Sequence, residues 1–212
     1  MSDTDILTQN TIPHTMRAIV LEKPNDQINL ADIELPVPEC SDNELLIKVE
    51  YVGLNPVDGH FAKSGFCQWQ YPHILGLDAV GVVVKASKGI FPNVGERVMW
   101  HANVGGQGVL SEYTKVPNFA VSIVPQELNP AVAAVLPCAG MAALISLDKI
   151  SITEGQTVFI EGGAGAVGQF AIQYAKQRGA DVFATASKKN HKLVKQLGAD
   201  VAVSYTHLRA HE

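Results

Sequence analysis

Three glycines, Gly163, Gly165 and Gly168, are the residues whose types and spacing most clearly indicate chemistry in this sequence. They fit the pattern G-x-G-x-x-G and lie between a β-branched and aromatic run, TVFIE, and an Ala-rich segment typical of a helix. In a dinucleotide-binding turn, the first glycine allows the tight turn and the second lets the backbone approach the pyrophosphate. The third lets the helix and the strand pack closely. N–H groups at the start of the helix then bind the anion.

This pattern predicts that a nicotinamide dinucleotide binds at the turn. The alternative is a Gly-rich connection without a ligand, but the placement between a strand and a helix favours the cofactor site. The residues that we expect to contact the cofactor here are Gly163, Ala164, Gly165, Ala166, Val167 and Gly168.

The choice between NAD and NADP depends on the residues after the next predicted strand, DVFATA. NAD-binding versions of the turn carry Asp or Glu about 20 residues further on, where it binds the ribose 2′-hydroxyl. Thr185, Ala186 and Ser187 hold that place, and Lys188 and Lys189 follow them. A hydroxyl and two ammonium groups suit a 2′-phosphate, so we predict NADP(H) bound by Ser187, Lys188 and Lys189. The alternative is that the lysines only solvate the start of a helix.

The elements that must position these residues show two patterns along the chain. From residue 16 to about 124, short apolar runs such as RAIVL, ELLIKVEYVG, AVGVVV, ERVMW and SEYTKV are separated by Gly, Pro and Asn, which predicts an all-β barrel or sandwich. After residue 124, helix and strand patterns alternate, as in a doubly wound sheet. Asn129 and Pro130 predict a helix start, and Pro137 must break or kink that helix.

The composition excludes several classes of partner. The 212 residues carry a formal net charge of −5 without a basic block, so nucleic acid is not expected as a partner. No apolar run is long enough to cross a bilayer, and residues 1–15 lack the basic and apolar regions of a secretory signal. Three widely spaced cysteines do not form a disulfide pattern, so we expect a cytoplasmic protein.

Several further motifs occur in a fixed order. They are GLNPVDGHFAKSG, PHILGLDAVGVV, VGERV, GVLSEYTKVP, LPCAGMAALISL and GGAGAVG. With them the chain resembles the medium-chain dehydrogenase/reductase superfamily, and within it the zinc-free quinone oxidoreductase branch, from residue 16 to about 200. The resemblance implies an α/β plus β protein. We expect a GroES-like β-barrel catalytic domain over 16–127, then the first part of a Rossmann doubly wound parallel sheet over 128–203.

Zinc is the next question that the resemblance raises. Alcohol dehydrogenases of the superfamily hold zinc through a Cys in the first of these motifs and a His-Glu pair in the second. Asn55 and the pair Leu77 and Asp78 correspond to them here. Leu has no ligand atom and Asn is a poor zinc ligand, so we predict no metal, even with Cys138 at the place of a third ligand. Three histidines lack Cys partners at ligand spacing, so each is expected to be a loop or core histidine and not a ligand: His60, His73 and His101.

The resemblance also implies active-site residues. Asn55 and Asp58 are expected to line the cleft near the nicotinamide, and His60 falls where relatives often carry Tyr, so it is a candidate donor to the product oxygen. Asp58 is alternatively a turn residue, and His60 a loop residue facing solvent. Met141 is expected near the nicotinamide, although core packing would explain it too. Tyr205 matches a family Tyr near the 2′-phosphate.

Both ends of the chain are expected to lie outside the fold. Residues 1–15 are polar and predict a flexible tail. The last ten residues, VSYTHLRAHE, correspond to the translation of a DNA sequence that resembles a transposase sequencing adapter, so we expect 204–212 to be non-native. The resemblance then implies that only part of the sheet is present. We expect the chain as written to be inactive and the full-length protein to form a homodimer.

Without zinc, the protein must position its acceptor and stabilise developing negative charge with hydrogen bonds. We therefore predict an oxidoreductase that transfers a hydride from NADPH to a small-molecule quinone or α,β-unsaturated carbonyl. Two alternatives stay open, a zinc-free aldehyde or ketone reductase and a non-catalytic NADPH-binding protein.

Overall fold

The computed structural model describes residues 12–204, which divide into two compact units between Val135 and Leu136. Residues 1–11, most of the predicted tail 204–212 and Tyr205 lie outside the described residues. The first strand begins at Thr15, so the last residue of the predicted N-terminal tail already belongs to the fold. None of the helices in the described part of the chain is long and apolar enough to span a membrane.

The first unit consists mainly of antiparallel strands, as its alternating short apolar runs predict. Its elements are β1 Thr15–Leu21, β2 Leu30–Pro36, β3 Glu44–Gly53, α1 Pro56–Ser64, β4 His73–Ile74, β5 Asp78–Lys85, β6 Arg97–His101, β7 Tyr113–Pro117, β8 Val121–Ile123 and α2 Pro130–Ala133. Five strands form a sheet in the order β7-β3-β5-β6-β8, and three form a second sheet in the order β2-β1-β4. An isolated bridge between Ala18 and Ser111 joins β1 to the segment before β7. The described strands of the expected barrel thus form two sheets and not one closed cylinder.

The core of the first unit forms around β5 and β3. Strand β5 is buried along most of its length because its residues are small or β-branched, with Val80 and Val83 fully buried. Gly81 permits the close approach of the two strands, since a Cβ there would lie 2.3 Å from the carbonyl oxygen of Lys48. This packing fixes the position of Asp78, the first residue of β5.

Helix α1 corrects the prediction of an all-β first half. The residues that suggested a turn, NPVDG, instead begin a helix. Asn55 is extended at the N-cap position, Pro56 occupies the first helical turn, and the carboxylate of Asp58 accepts the backbone N–H of Asn55 at 2.7 Å. Asn, Pro and Asp favour both turns and helix starts. The alternative role considered for Asp58, stabilising its local backbone, is therefore present in the structure.

The second unit has alternating helices and strands, as predicted. Its elements are α3 Pro137–Lys149, β9 Thr157–Ile160, α4 Ala166–Gln177, β10 Asp181–Thr185, α5 His191–Gln196 and β11 Val201–Val203. The predicted break at Pro137 is confirmed, because α2 ends at Ala133 and α3 begins with Pro137. The strands are parallel in the order β11-β10-β9, which is the arrangement of the first three strands of a Rossmann sheet.

One face of this parallel sheet packs against helix α4. Ile172 of α4 and Val182 and Ala184 of β10 are fully buried in the same apolar cluster. Because alternate residues of a strand point to opposite faces, Phe159 and Phe183 lie on the other face, where they are 60% and 37% exposed. The carboxyl ends of β9 and β10 meet at one edge of the sheet, and this edge carries the glycine turn.

Candidate functional site

The glycine turn is anchored to the end of β10 by Thr185. The backbone N–H of Gly162 donates to the hydroxyl of Thr185 at 2.9 Å, and the N–H of Gly163 donates to its carbonyl oxygen at 2.8 Å. Thr185 is fully buried, so its hydroxyl is shielded from solvent. Gly162 has a φ of +68°, a conformation that side chains rarely adopt. The turn is thus held in one shape by a partner from the neighbouring strand.

Two of the three motif glycines are required by packing. A Cβ on Gly168 would lie 2.4 Å from the carbonyl oxygen of Gly162 and 2.7 Å from the Cα of Gly163. A Cβ on Gly163 would lie 2.8 Å from the Cβ of Ala184. These distances give the expected tight turn and close helix–strand approach a physical basis. At Gly165 the nearest atom would be 3.2 Å away, so the space beside this residue is less crowded by the protein.

The first turn of α4 begins with exposed backbone amides. Gly165 is extended at the N-cap position, and no side chain caps the helix, although the first N–H groups of a helix need partners. A pyrophosphate would supply these partners and would also be favoured by the helix dipole. The residues present therefore fit a dinucleotide. Bound to this turn, NADPH would supply a hydride, while the amides of Ala166 and Val167 would hold its phosphates.

The three residues predicted to bind the 2′-phosphate follow directly after β10. Ser187 is half-buried, and Lys188 and Lys189 are exposed in a short 3-10 turn that leads into α5. Neither lysine takes part in the ion pairs found among residues 12–204. No carboxylate occupies residues 185–189. The end of β10 thus presents two cations beside the glycine turn and no acid.

Met141 lies on α3 in the same unit and is 41% exposed, so core packing does not account for this side chain. The exposed part of the Met141 side chain is available to contact a ligand.

A second polar cluster lies in the first unit, at the ends of three adjacent strands. Gly53, Asp78 and His101 are register partners across β3, β5 and β6, and Asn55 follows β3. Asp78 is fully buried. One of its carboxylate oxygens accepts the side-chain amide of Asn55 at 3.0 Å, and the other lies 2.7 Å from Nδ1 of His101. The sheet therefore brings together residues that are distant in the sequence: Asp78 lies 23 positions after Asn55 and 23 positions before His101.

Asp58 lies beside this cluster, whereas His60 does not. Burial raises the pKa of the Asp58 carboxyl, and the charge of Asp78 raises it further, while the hydrogen bond from Asn55 and the nearby His101 act in the opposite direction. His60 is exposed on α1, and its ring has only a tilted contact with Phe61 at 6.3 Å among the described interactions. Of the three predicted catalytic residues, the structure brings together Asn55 and Asp58.

A groove of about 940 Å³ runs along the first unit next to the polar cluster. Its wall includes His101, the adjacent Trp100 and residues of β7, and it is mostly apolar. A concave apolar surface with a few convergent polar groups is the usual form of a small-molecule site. The indole N–H of Trp100 is buried without a hydrogen-bond partner among residues 12–204.

His73 is a core histidine, which is one of the interpretations that the sequence allowed. It is 3% exposed and stacks on Trp69 with ring centroids 3.8 Å apart. Burial lowers the pKa of His73 to about 4. This histidine therefore has a structural role in the neutral form.

The sequence reasoning missed two functional candidates. The pattern placed Thr185 at the end of a strand but did not show that its hydroxyl binds the glycine turn. It showed only that His101 has no Cys partner at ligand spacing, because its hydrogen-bond partner Asp78 is distant in the sequence. The signal that would have found His101 is strand register, since Asp78 begins β5 and His101 ends β6.

Fold and site together define an antiparallel β unit followed by a parallel sheet that carries a dinucleotide-binding type of glycine turn. Comparison with known families agrees. Residues 41–126 match the family model described as alcohol dehydrogenase GroES-like domain, and residues 166–211 match the model described as zinc-binding dehydrogenase.

Comparison with individual proteins identifies the family more precisely. It is 35% identical over 207 residues to a trans-enoyl reductase, tazE, of Aspergillus terreus, covering 89% of the chain and 68% of the relative. It is 32% identical to an NADPH-dependent alkenal/one oxidoreductase of Arabidopsis thaliana, covering 95% of the chain and 55% of that protein. The solved quinone oxidoreductase of Coxiella burnetii is 33% identical, with a TM-score of 0.83 over 92% of the chain and 64% of that structure.

The chain belongs to the medium-chain dehydrogenase/reductase superfamily of oxidoreductases, among its quinone and enone oxidoreductases. This confirms the family and the GroES-like plus Rossmann fold expected from the motifs. The chain spans between 55% and 68% of the length of these three relatives.

Proposed function

We propose that the protein transfers a hydride from NADPH to the electron-poor carbon of a quinone or an α,β-unsaturated carbonyl, without zinc. The observation that carries the proposal is the glycine turn, which Thr185 anchors next to Ser187, Lys188 and Lys189. The turn offers uncapped amides to a pyrophosphate, and the residues after β10 offer two cations and no acid. This combination supports NADPH over NADH.

The residues at the zinc positions support a metal-free reaction. Leu77 has no ligand atom, and the side-chain amide of Asn55 donates to Asp78, so it serves as a hydrogen-bond donor within the cluster. With these residues, the protein would stabilise negative charge on the acceptor oxygen through hydrogen bonds. Metal analysis of the purified protein tests this directly. We expect zinc far below one equivalent, and one tightly bound zinc per chain would contradict the proposal.

The substrate class is supported by the activities after which the relatives are named. One is an NADPH-dependent alkenal/one oxidoreductase, one a trans-enoyl reductase and one a quinone oxidoreductase. All three names imply a conjugated acceptor, and the mostly apolar groove of about 940 Å³ is compatible with such a molecule. We further propose a cytoplasmic protein that acts as a homodimer, which sedimentation of the purified protein and localisation of a tagged copy would test.

Stopped-flow oxidation of NADPH separates the proposal from its alternatives. The protein is mixed with NADPH, and then with a 1,4-quinone, a 2-alkenal or a simple saturated aldehyde. We expect rapid oxidation with the first two acceptors and slow oxidation with the third. Oxidation by the saturated aldehyde alone would favour a carbonyl reductase. Tight NADPH binding without oxidation by any acceptor would favour a non-catalytic binding protein.

A further inference from the structure

The pair formed by Asp78 and His101 has the geometry of an oriented acid–base dyad. Asp78 is fully buried, whereas the side chain of its partner His101 is 23% exposed. The carboxylate lies 2.7 Å from Nδ1 of His101, so Nδ1 carries a proton and donates it in this hydrogen bond. The other ring nitrogen, Nε2, forms no hydrogen bond among residues 12–204 and is the nitrogen left to exchange a proton with a ligand.

The surroundings of the dyad are acidic. Asp78 faces His101 from β5, and Asp58 approaches from α1, while Asn55 contributes an uncharged amide. A buried carboxylate that accepts Nδ1–H fixes the orientation of the ring and stabilises the imidazolium when Nε2 takes up a proton. The arrangement thus holds the His101 ring in one orientation and leaves Nε2 for a ligand.

The position of His101 gives a ligand access to this proton. His101 ends β6 and lines the groove of about 940 Å³, together with Trp100, whose buried indole N–H has no partner in the described part of the chain. By contrast, His60 is exposed on α1 and has no hydrogen bond that would orient its ring among the described interactions. One oxygen of Asp58 is already used by the backbone of Asn55.

We propose that His101, oriented by Asp78, donates a proton from Nε2 to the oxygen of the acceptor. This proposal rests on the proposed reduction of a conjugated carbonyl. The acceptor gains a hydride from NADPH at its β-carbon, and the electron pair of its C=C bond moves toward the carbonyl oxygen. That oxygen takes the Nε2 proton of His101, which leaves a neutral imidazole, an enol and NADP⁺. The enol then converts to the saturated carbonyl, and solvent returns a proton to Nε2.

The first test measures binding and needs no turnover. The probe is 4-nitrophenol, whose phenolate resembles the developing enolate and absorbs at a longer wavelength than the phenol. We expect the protein to bind the phenolate and the variant His101→Gln to bind it about tenfold more weakly or worse, because Gln removes the imidazole that would donate to the phenolate oxygen. A matched control, His14→Gln, changes an exposed histidine of the same unit and should bind as the parent does.

The second test measures NADPH oxidation by a 2-alkenal. We expect His101→Gln to lower kcat by about a hundredfold with little change in KM or in NADPH affinity, and to abolish the solvent isotope effect on the proton step. Asp78→Asn, which leaves His101 without its carboxylate, should lower kcat in the same direction. Thermal unfolding of each variant controls for loss of structure.

The outcomes separate this proposal from the proposed function. If the parent oxidises NADPH and His101→Gln retains its kcat within about twofold, the reductase function stands and the role of His101 is wrong. If no acceptor is reduced but phenolate binding depends on His101, the function is wrong and the oxyanion-binding dyad stands. If phenolate binding is equal in the parent and in His101→Gln, the dyad only joins β5 to β6, and the proposal is overturned.

Discussion

The hydroxyl of Thr185 accepts the backbone N–H of Gly162 at 2.9 Å, and this hydrogen bond couples the end of one strand to the glycine turn after another. Thr185 is fully buried, whereas Gly162 is an exposed residue. A hydrogen bond between uncharged groups contributes about 0.5–1.5 kcal/mol to stability. The shape of the cofactor turn therefore depends on a residue outside the glycine motif.

The substitution Thr185→Val tests this coupling. Val has nearly the shape of Thr but no acceptor, so the N–H of Gly162 would lose its partner. We expect NADPH affinity to fall by about tenfold and the amide of Gly162 to lose protection in hydrogen exchange. The matched control is Thr185→Ser, which keeps the hydroxyl and should bind NADPH within about twofold of the parent. Equal affinity in Thr185→Val and the parent would show that the turn needs no such anchor.

Gly168→Ala tests the requirement for close packing at the start of α4. The added Cβ would lie 2.4 Å from the carbonyl oxygen of Gly162, so backbone would have to move. We expect a loss of stability of about 1–3 kcal/mol and NADPH binding weakened by more than tenfold, as measured by denaturant unfolding and fluorescence titration. Gly140→Ala on α3 is the control, because its Cβ would meet the nearest atom at 3.6 Å. A Gly168→Ala variant that binds NADPH normally would contradict the role assigned to this glycine.

Replacing Lys188 and Lys189 by Ala tests the cofactor preference. If both ammonium groups bind the 2′-phosphate, the double variant should bind NADPH about tenfold to a hundredfold more weakly and NADH unchanged. NADPH binding by the parent should also weaken more steeply with salt than NADH binding. Lys195→Ala, an exposed lysine on α5, serves as the control. Equal losses for both cofactors would indicate that the lysines only solvate the helix start.

His73 predicts how the stability of the first unit depends on pH. Its pKa is about 4 in the folded protein and near 6.5 in the unfolded chain, so the unfolded state binds the proton more tightly. Above about pH 6.5, His73 is neutral in both states and does not change the free energy of unfolding. As the pH decreases from 6.5 to 4, the unfolded state takes up the proton, and the free energy of unfolding falls by about 2–3 kcal/mol. Both tryptophans, Trp69 and Trp100, lie in the first unit, so their fluorescence reports its unfolding. The variant His73→Phe should show a smaller loss over this range, and an identical pH profile would refute the prediction.

The sequence predicted the elements whose hydrophobic pattern is local. The runs TVFIE and DVFATA became β9 and β10 because continuous β-branched and aromatic residues favour strands, although Phe159 and Phe183 are exposed on one face of the sheet. Pro137 marked a helix boundary because proline has no N–H to donate. The motifs likewise predicted the family, since each depends on residues that are close in the sequence.

What the sequence did not predict depends on contacts between distant residues. Helix α1 was missed because Asn55, Pro56 and Asp58 are equally suited to a turn, and only the packed structure decides between them. The dyad was missed because strand register, not sequence spacing, brings Asp78 to His101. The anchoring role of Thr185 follows from the pairing of β9 with β10, which places its hydroxyl beside the turn.

The most direct test of the proposed reaction follows a labelled hydride. NADPH carrying deuterium at C4 of the nicotinamide is incubated with the protein and a 2-alkenal, and the product is analysed by NMR. We predict a saturated aldehyde with deuterium at its β-carbon. Deuterium at the carbonyl carbon of an alcohol, or no transfer of the label to any acceptor, would contradict the assignment of this chain to an NADPH-dependent reductase of conjugated acceptors.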